Sequence, residues 1–188
     1  MIPRAGQISL LIAPSSAITV LMEMTAQIAL QRHILILDGG NRFDGYGLAQ
    51  TLRKHTVNIN PALQNVLLSR IFTCYQMKAF LSEFNDNTLP ILVLDLLATF
   101  LDENVKLPMR QSLLSDCLSC LQKLSRLNPV VLWVRKRSLP QIEDEGLLDQ
   151  VFSASNRVWH IENSAPGASQ PALFNLSGQF NADLSAGK

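Results

Sequence analysis

The stretch Ile8-Ser9-Leu10-Leu11-Ile12-Ala13-Pro14-Ser15-Ser16-Ala17-Ile18-Thr19-Val20 decides how this chain is read. Ile8–Ala13 is nearly continuously apolar, the pattern of a strand covered on both faces. From Ala17 the apolar residues recur with a 3.6 period, as Leu21, Met24 and Ile28 do, which predicts an amphipathic helix reaching Leu30. Between the two lies a tight strand-to-helix turn. Pro14 sets its start, and Ser16 is the expected N-cap.

The same alternation runs along the chain. Ile34–Asp38, Pro90–Asp95 and Val130–Val134 read as buried strands, and Gln64–Arg70 as a shorter one. Helices are expected over Phe43–Lys54, Thr73–Phe84 and from Leu107, where Pro108 falls in the first turn and its missing N–H is harmless. Asn58–Pro61 reads as a loop, and Leu139–Gln150 as an acidic loop or short helix. Arg157–Ile161 and Pro171–Leu176 read as two edge strands of a hairpin. Strands alternating with helices predict a three-layer α/β fold, a mostly parallel sheet with helices on both faces. Residues 1–176 are expected to form one domain, and 177–188, small and polar, a flexible tail.

Composition narrows the class. The chain has 188 residues, 47% hydrophobic and 16% charged, which suits a packed core and excludes a disordered chain. A formal net charge of +1 gives no global pull on polyanions, so nucleic-acid binding would need a local patch. Cys117 and Cys120 make a lone C-x-x-C within a helical pattern. Without a second pair or a preceding strand end they read as core-facing thiols, kept reduced in the cytoplasm (or the nucleus of a eukaryote). Leu89–Leu101 contains Asp95 and is too short to span a bilayer; no membrane partner is expected.

Three segments together resemble the RecA/RadA-type recombinase core, over roughly residues 3–176. They are Leu35–Phe43, with its strand ending in Asp38; Leu67–Thr73, with an Arg-x-Phe step at Arg70–Phe72; and Ile91–Phe100, which is similar to a Walker B strand ending in Asp95. The resemblance implies a RecA-like fold and a nucleotide site made from Ser15, Ser16, Thr19 and Asp95. Against that family the phosphate loop G-x-x-x-x-G-K-S/T is degenerate. Its lysine position holds Thr19, its magnesium-binding hydroxyl position Val20, and its glycine positions Ala13, Ser16 and Ile18. The glutamate that polarises the attacking water falls at Gly40. Cation, metal ligand and base are replaced together, so no hydrolysis, catalytic residue, metal or cofactor is expected. A helix N-terminus can still attract an anion, which leaves weak ATP or anion binding open.

Asp38 and Asp95 carry two readings: paired carboxylates at the ligand edge of the sheet, or strand-end residues satisfied by backbone N–H groups or an Arg. Arg135-Lys136-Arg137 follows the fourth long strand, where the family's second DNA-binding loop begins. With Arg70 and Arg110 it is the candidate contact for single- or double-stranded DNA. The implied function is a non-catalytic recombinase paralogue, accessory to DNA repair or recombination, partnered by DNA, a RecA-like protein, another protein or a second copy in a dimer. The alternatives are a pure protein-interaction module, as in the bacterial cell-division inhibitor SulA, whose RecA-like fold lacks a phosphate loop, and an atypical ATPase.

Overall fold

The computed structural model describes residues 5–84, 88–136 and 146–162. Arg137, the expected strand Pro171–Leu176 and the tail from 177 lie outside the described residues. Six strands form one sheet: β1 (Ile8–Ala13), β2 (Ile34–Asp38), β3 (Val66–Arg70), β4 (Ile91–Leu94), β5 (Val130–Arg135) and β6 (Arg157–His160), in the order β3-β2-β4-β5-β1-β6. Every pairing is parallel. Such a sheet needs cover on both faces, which is why β1, β2 and β4 are buried at every position.

The cover comes in two layers. On one face α1 (Ile18–Ala29), α2 (Gly45–Arg53) and the short α3 (Asn60–Gln64) pack Leu21, Leu48, Leu52 and Ala62 against Leu11, Ile36, Leu92 and Trp133. On the other face α4 (Cys74–Glu83), α5 (Leu107–Ser125) and α6 (Leu147–Ala154) pack Met77, Leu114, Cys117 and Val151 against Leu10, Leu37, Val93 and Leu132. α2 is capped by Asp44, whose side chain accepts from the Gly47 N–H at 2.9 Å, and α4 by Thr73, which accepts from Gln76 N–H at 3.2 Å. Cys117 is buried, its thiol pushed up to about 12 by desolvation, and Cys120 is partly buried beside the same core.

Two local expectations need correction. Ser16 is not the N-cap: Ser15–Ala17 form a single turn of 3-10 helix leading into α1, and neither Pro14 nor Ala17 makes a side-chain cap. Asn60–Gln64 is a helix, not a loop; Pro61 sits in its first turn, where proline starts a helix rather than breaking one. After Asp95 the chain enters a second 3-10 segment, Leu96–Phe100, buried except at Ala98. Arg157–His160 is an edge strand, parallel to β1; its expected hairpin partner, Pro171–Leu176, lies outside the described residues. No helix among the described residues is long and apolar enough to cross a membrane.

Candidate functional site

In an open parallel sheet, ligands bind beyond the carboxyl ends of the strands, where the following helices leave to opposite faces. Here α1 and α2 leave β1 and β2 on one face, while α5 follows β4 on the other. The switch points therefore lie between β2 and β4 and between β5 and β1. All three expected features, Asp38, Asp95 and the Ser15–Thr19 turn, sit along this edge.

Asp38 is fully buried, and its two carboxylate oxygens accept the N–H groups of Arg42 and Phe43 at 2.8 and 2.9 Å. Those bonds close the turn Gly39-Gly40-Asn41, whose Asn41 takes φ +52°, a left-handed conformation that Asn tolerates. Asp38 is thus a turn anchor, with its acceptors turned onto its own chain.

Asp95 is 1% exposed and also left-handed, φ +54°. Its Oδ2 accepts from Arg135 Nε, and Arg42 Nε stands 3.9 Å away. Burial pushes the carboxyl above its ordinary value of 3.8, and the two arginines only partly offset that. Desolvation therefore outweighs the pair, as is common for buried ion pairs. Gly40 closes on the same group: a Cβ there would lie 2.5 Å from Asp95 Oδ2 and 2.7 Å from its Cβ. A side chain at 40 and this placement of Asp95 exclude each other.

β5 lies between β4 and β1, so Asp95 and the Ser15–Thr19 turn are two strand spacings apart, about 10 Å. Arg135 ends β5 in register with Ala13, and its side chain, 17% exposed, turns to Asp95. In the turn itself the Ala17 N–H donates to Pro14 O at 3.0 Å, and the Ile18 N–H is bonded back to Ser15 and Ser16 carbonyls. Pro14 has no N–H. A phosphate cradle needs backbone amides pointing outward together, and these point into the turn. Ile18 packs partly into the core, while the Ser15, Ser16 and Thr19 side chains are exposed. Beneath them the fully buried Trp133 donates its indole N–H to Ala13 O at 3.3 Å.

The basic residues are dispersed. Lys136 is exposed and pairs with Glu162 at 3.0 Å. Arg110 is 6% exposed and donates to the carbonyl of Phe100 at 3.1 Å, which places it inside the fold rather than on a contact surface. Arg70 is exposed at the carboxyl end of β3, at the opposite side of the sheet from β6. Of these, Arg135 pairs with a candidate nucleotide residue, Asp95.

Two charged neighbours were not singled out by the sequence: Arg42, near Asp95, and Glu162, paired with Lys136. A buried Asp needs a counter-charge, and Arg42 is the first cation after β2, so that signal was present. No group of three or more His, Cys, Asp or Glu able to hold a metal occurs among the described residues. A groove of about 460 Å³ lies between α5 and α6, bordered by Ser115, Ser119, Gln122 and Asp149, away from the carboxyl edge. No protein-family model matches this sequence. No curated protein matches it either. The architecture is that of a parallel α/β protein of the broad class that includes P-loop nucleotide-binding proteins.

Proposed function

We propose that this is a non-catalytic protein on a RecA-like core, which acts by binding another macromolecule through its surface. The observation that carries the reading is Arg135: its guanidinium lies on Asp95, between that carboxylate and the turn where a phosphate would sit. A cation fixed on the metal-binding acid removes the ligand that magnesium would need. The Ala17 and Ile18 amides, bonded back into the turn, and a glycine at 40, which carries no base for an attacking water, support the same reading.

Between protein and DNA as the bound molecule, charge favours protein. Arg135 is paired with Asp95 and Lys136 with Glu162, and Arg110 is buried. Nonspecific DNA binding scales with the phosphates neutralised, and few cations of the expected patch remain for that. Fluorescence anisotropy with a labelled single-stranded oligonucleotide should therefore show no saturable binding at either low or physiological salt. Salt-sensitive binding lost on the combined substitution Arg70→Ala/Lys136→Ala would instead make DNA the target and restore the role in repair or recombination as the first reading.

A further inference from the structure

The groove of about 460 Å³ between α5 and α6 has no part in the carboxyl edge. α5 lends it Ser115, Leu118, Ser119 and Gln122, spaced by three and four residues, so a single face of the helix lines it. α6 lends it Asp149, Gln150 and Ser153. Leu118 belongs to the core below and gives the groove an apolar floor. Its walls are hydrogen-bonding side chains.

Those walls are weighted toward acceptors. Asp149 is exposed and enters no ion pair among the described residues. The Ser153 hydroxyl donates its proton to the Asp149 carbonyl at 2.8 Å, which leaves its oxygen lone pairs to accept. Gln150 Oε1 is covered and, among the described residues, accepts from no donor. A covered acceptor without a donor is costly. Rotation about the last side-chain bond of Gln150 is soft and presents that oxygen to a donor in the groove. No Lys, Arg or His is among the described lining residues. Asp116, beside Ser115 in sequence, is committed to Lys78 of α4, so Asp149 is the charge left to attract a ligand.

A carboxylate, a spare amide oxygen and hydroxyl lone pairs call for a cation rich in donors. Guanidinium suits them better than ammonium. Its five N–H donors lie in one plane and reach several acceptors at once, and its weaker hydration lets one face rest on Leu118. The length of the groove speaks for the source. Ser115 to Gln122 spans two turns of helix, about 10 Å, the reach of about three extended residues. A lone guanidinium leaves most of that length empty. An arginine with its flanking peptide groups fills it, with Ser119 and Gln122 placed to bond those groups.

We propose that the groove between α5 and α6 receives an arginine side chain of a partner protein, its guanidinium on the Asp149 carboxylate and the Gln150 amide oxygen. This rests on the reading of the protein as a binding module, and it says what the module takes.

The test is a proton–nitrogen NMR titration of the intact chain with a blocked tripeptide, Ala-Arg-Ala, a method that registers weak binding. Saturable shifts are expected at the Ser119, Asp149 and Gln150 amides. The citrulline tripeptide, of the same shape without the charge, should bind about tenfold more weakly, the loss of one charged hydrogen bond. Asp149→Asn should weaken the arginine peptide by about the same factor. Gln150→Leu should weaken binding yet raise the Tm of the free protein, because it removes an acceptor that has no donor; a merely structural glutamine would not move the two in opposite directions. Ser119→Leu, at an exposed helical position that tolerates leucine, should block the groove. No shifts, shifts centred elsewhere, equal binding of the citrulline peptide, or binding unaltered by Asp149→Asn would overturn the proposal. Methylguanidinium binding as tightly as the tripeptide would overturn it too, by making the groove a site for small cations. Each of these strikes the groove alone, whereas saturable ATP or DNA binding strikes the reading beneath it.

Discussion

Arg135→Ala is expected to destabilise the protein by about 3–5 kcal/mol at neutral pH, because it leaves a buried carboxylate without its close counter-charge. Asp95 is 1% exposed, and the remaining cation, Arg42, is 3.9 Å away and 39% exposed, too solvated to compensate. For a chain of this size the loss corresponds to a fall in Tm of roughly 10 °C. The pH dependence carries the signature. Asp95 already has a folded-state pKa raised by burial, and removing Arg135 raises it further. A raised folded-state value means stability that is complete below the unfolded value and lost as pH rises through the folded one. The deficit of the variant should therefore be largest at neutral and alkaline pH and shrink as pH falls toward the ordinary aspartate range. Thermal melts from pH 8 to 5 read this directly. The double variant Asp95→Asn/Arg135→Met should recover much of the loss, since it removes both charges and Asn accepts the left-handed backbone at 95. A pH-independent deficit would show that Arg135 acts by packing alone.

Gly40→Glu puts back the residue type that the recombinase resemblance places there, and it is expected to damage the protein without giving it hydrolysis. The new Cβ would fall 2.5 Å from Asp95 Oδ2 and 2.7 Å from Asp95 Cβ. The second contact is close to the backbone, so rotating the carboxylate does not relieve it. Overpacking of this kind costs about 1–3 kcal/mol, and a second carboxylate beside a buried one adds like-charge repulsion. Gly40→Ala should show the steric part alone. Urea titration separates the two: Glu should cost more than Ala, by an amount that declines at acid pH. Phosphate release from ATP should stay at background in both. Turnover in Gly40→Glu would mean that a working nucleotide site survives.

Much of the fold was legible because its strands carry unambiguous patterns. Ile34–Asp38, Ile91–Leu94 and Val130–Val134 are apolar runs too short for helices and bounded by turn residues, and they occupy the middle of the sheet. Where local signals competed, the reading slipped. Asn58-Ile59-Asn60-Pro61 looks like a turn, but proline in a first helical turn is equally well placed, and Ala62 buried against α1 decides for helix. Ser16 had the right chemistry for a cap, yet the chain tightens into a 3-10 turn one step earlier, which a propensity cannot register. The sequence showed where Asp38, Asp95 and the Ser15–Thr19 turn stand, at the carboxyl ends of buried strands, but not what their side chains meet. That Arg135 turns inward to Asp95, while its neighbour Lys136 points to Glu162, depends on strand order and side-chain alternation together. Consecutive basic residues invite a single role; on a strand end they face opposite ways.

A non-catalytic binding role requires that the carboxyl edge hold no nucleotide site. Titration calorimetry of the intact protein with ATP and magnesium tests it most directly. Heats equal to dilution are expected at millimolar ATP, for the protein and for its Thr19→Val variant alike. Saturable binding at micromolar ATP, weakened by Thr19→Val, would contradict it.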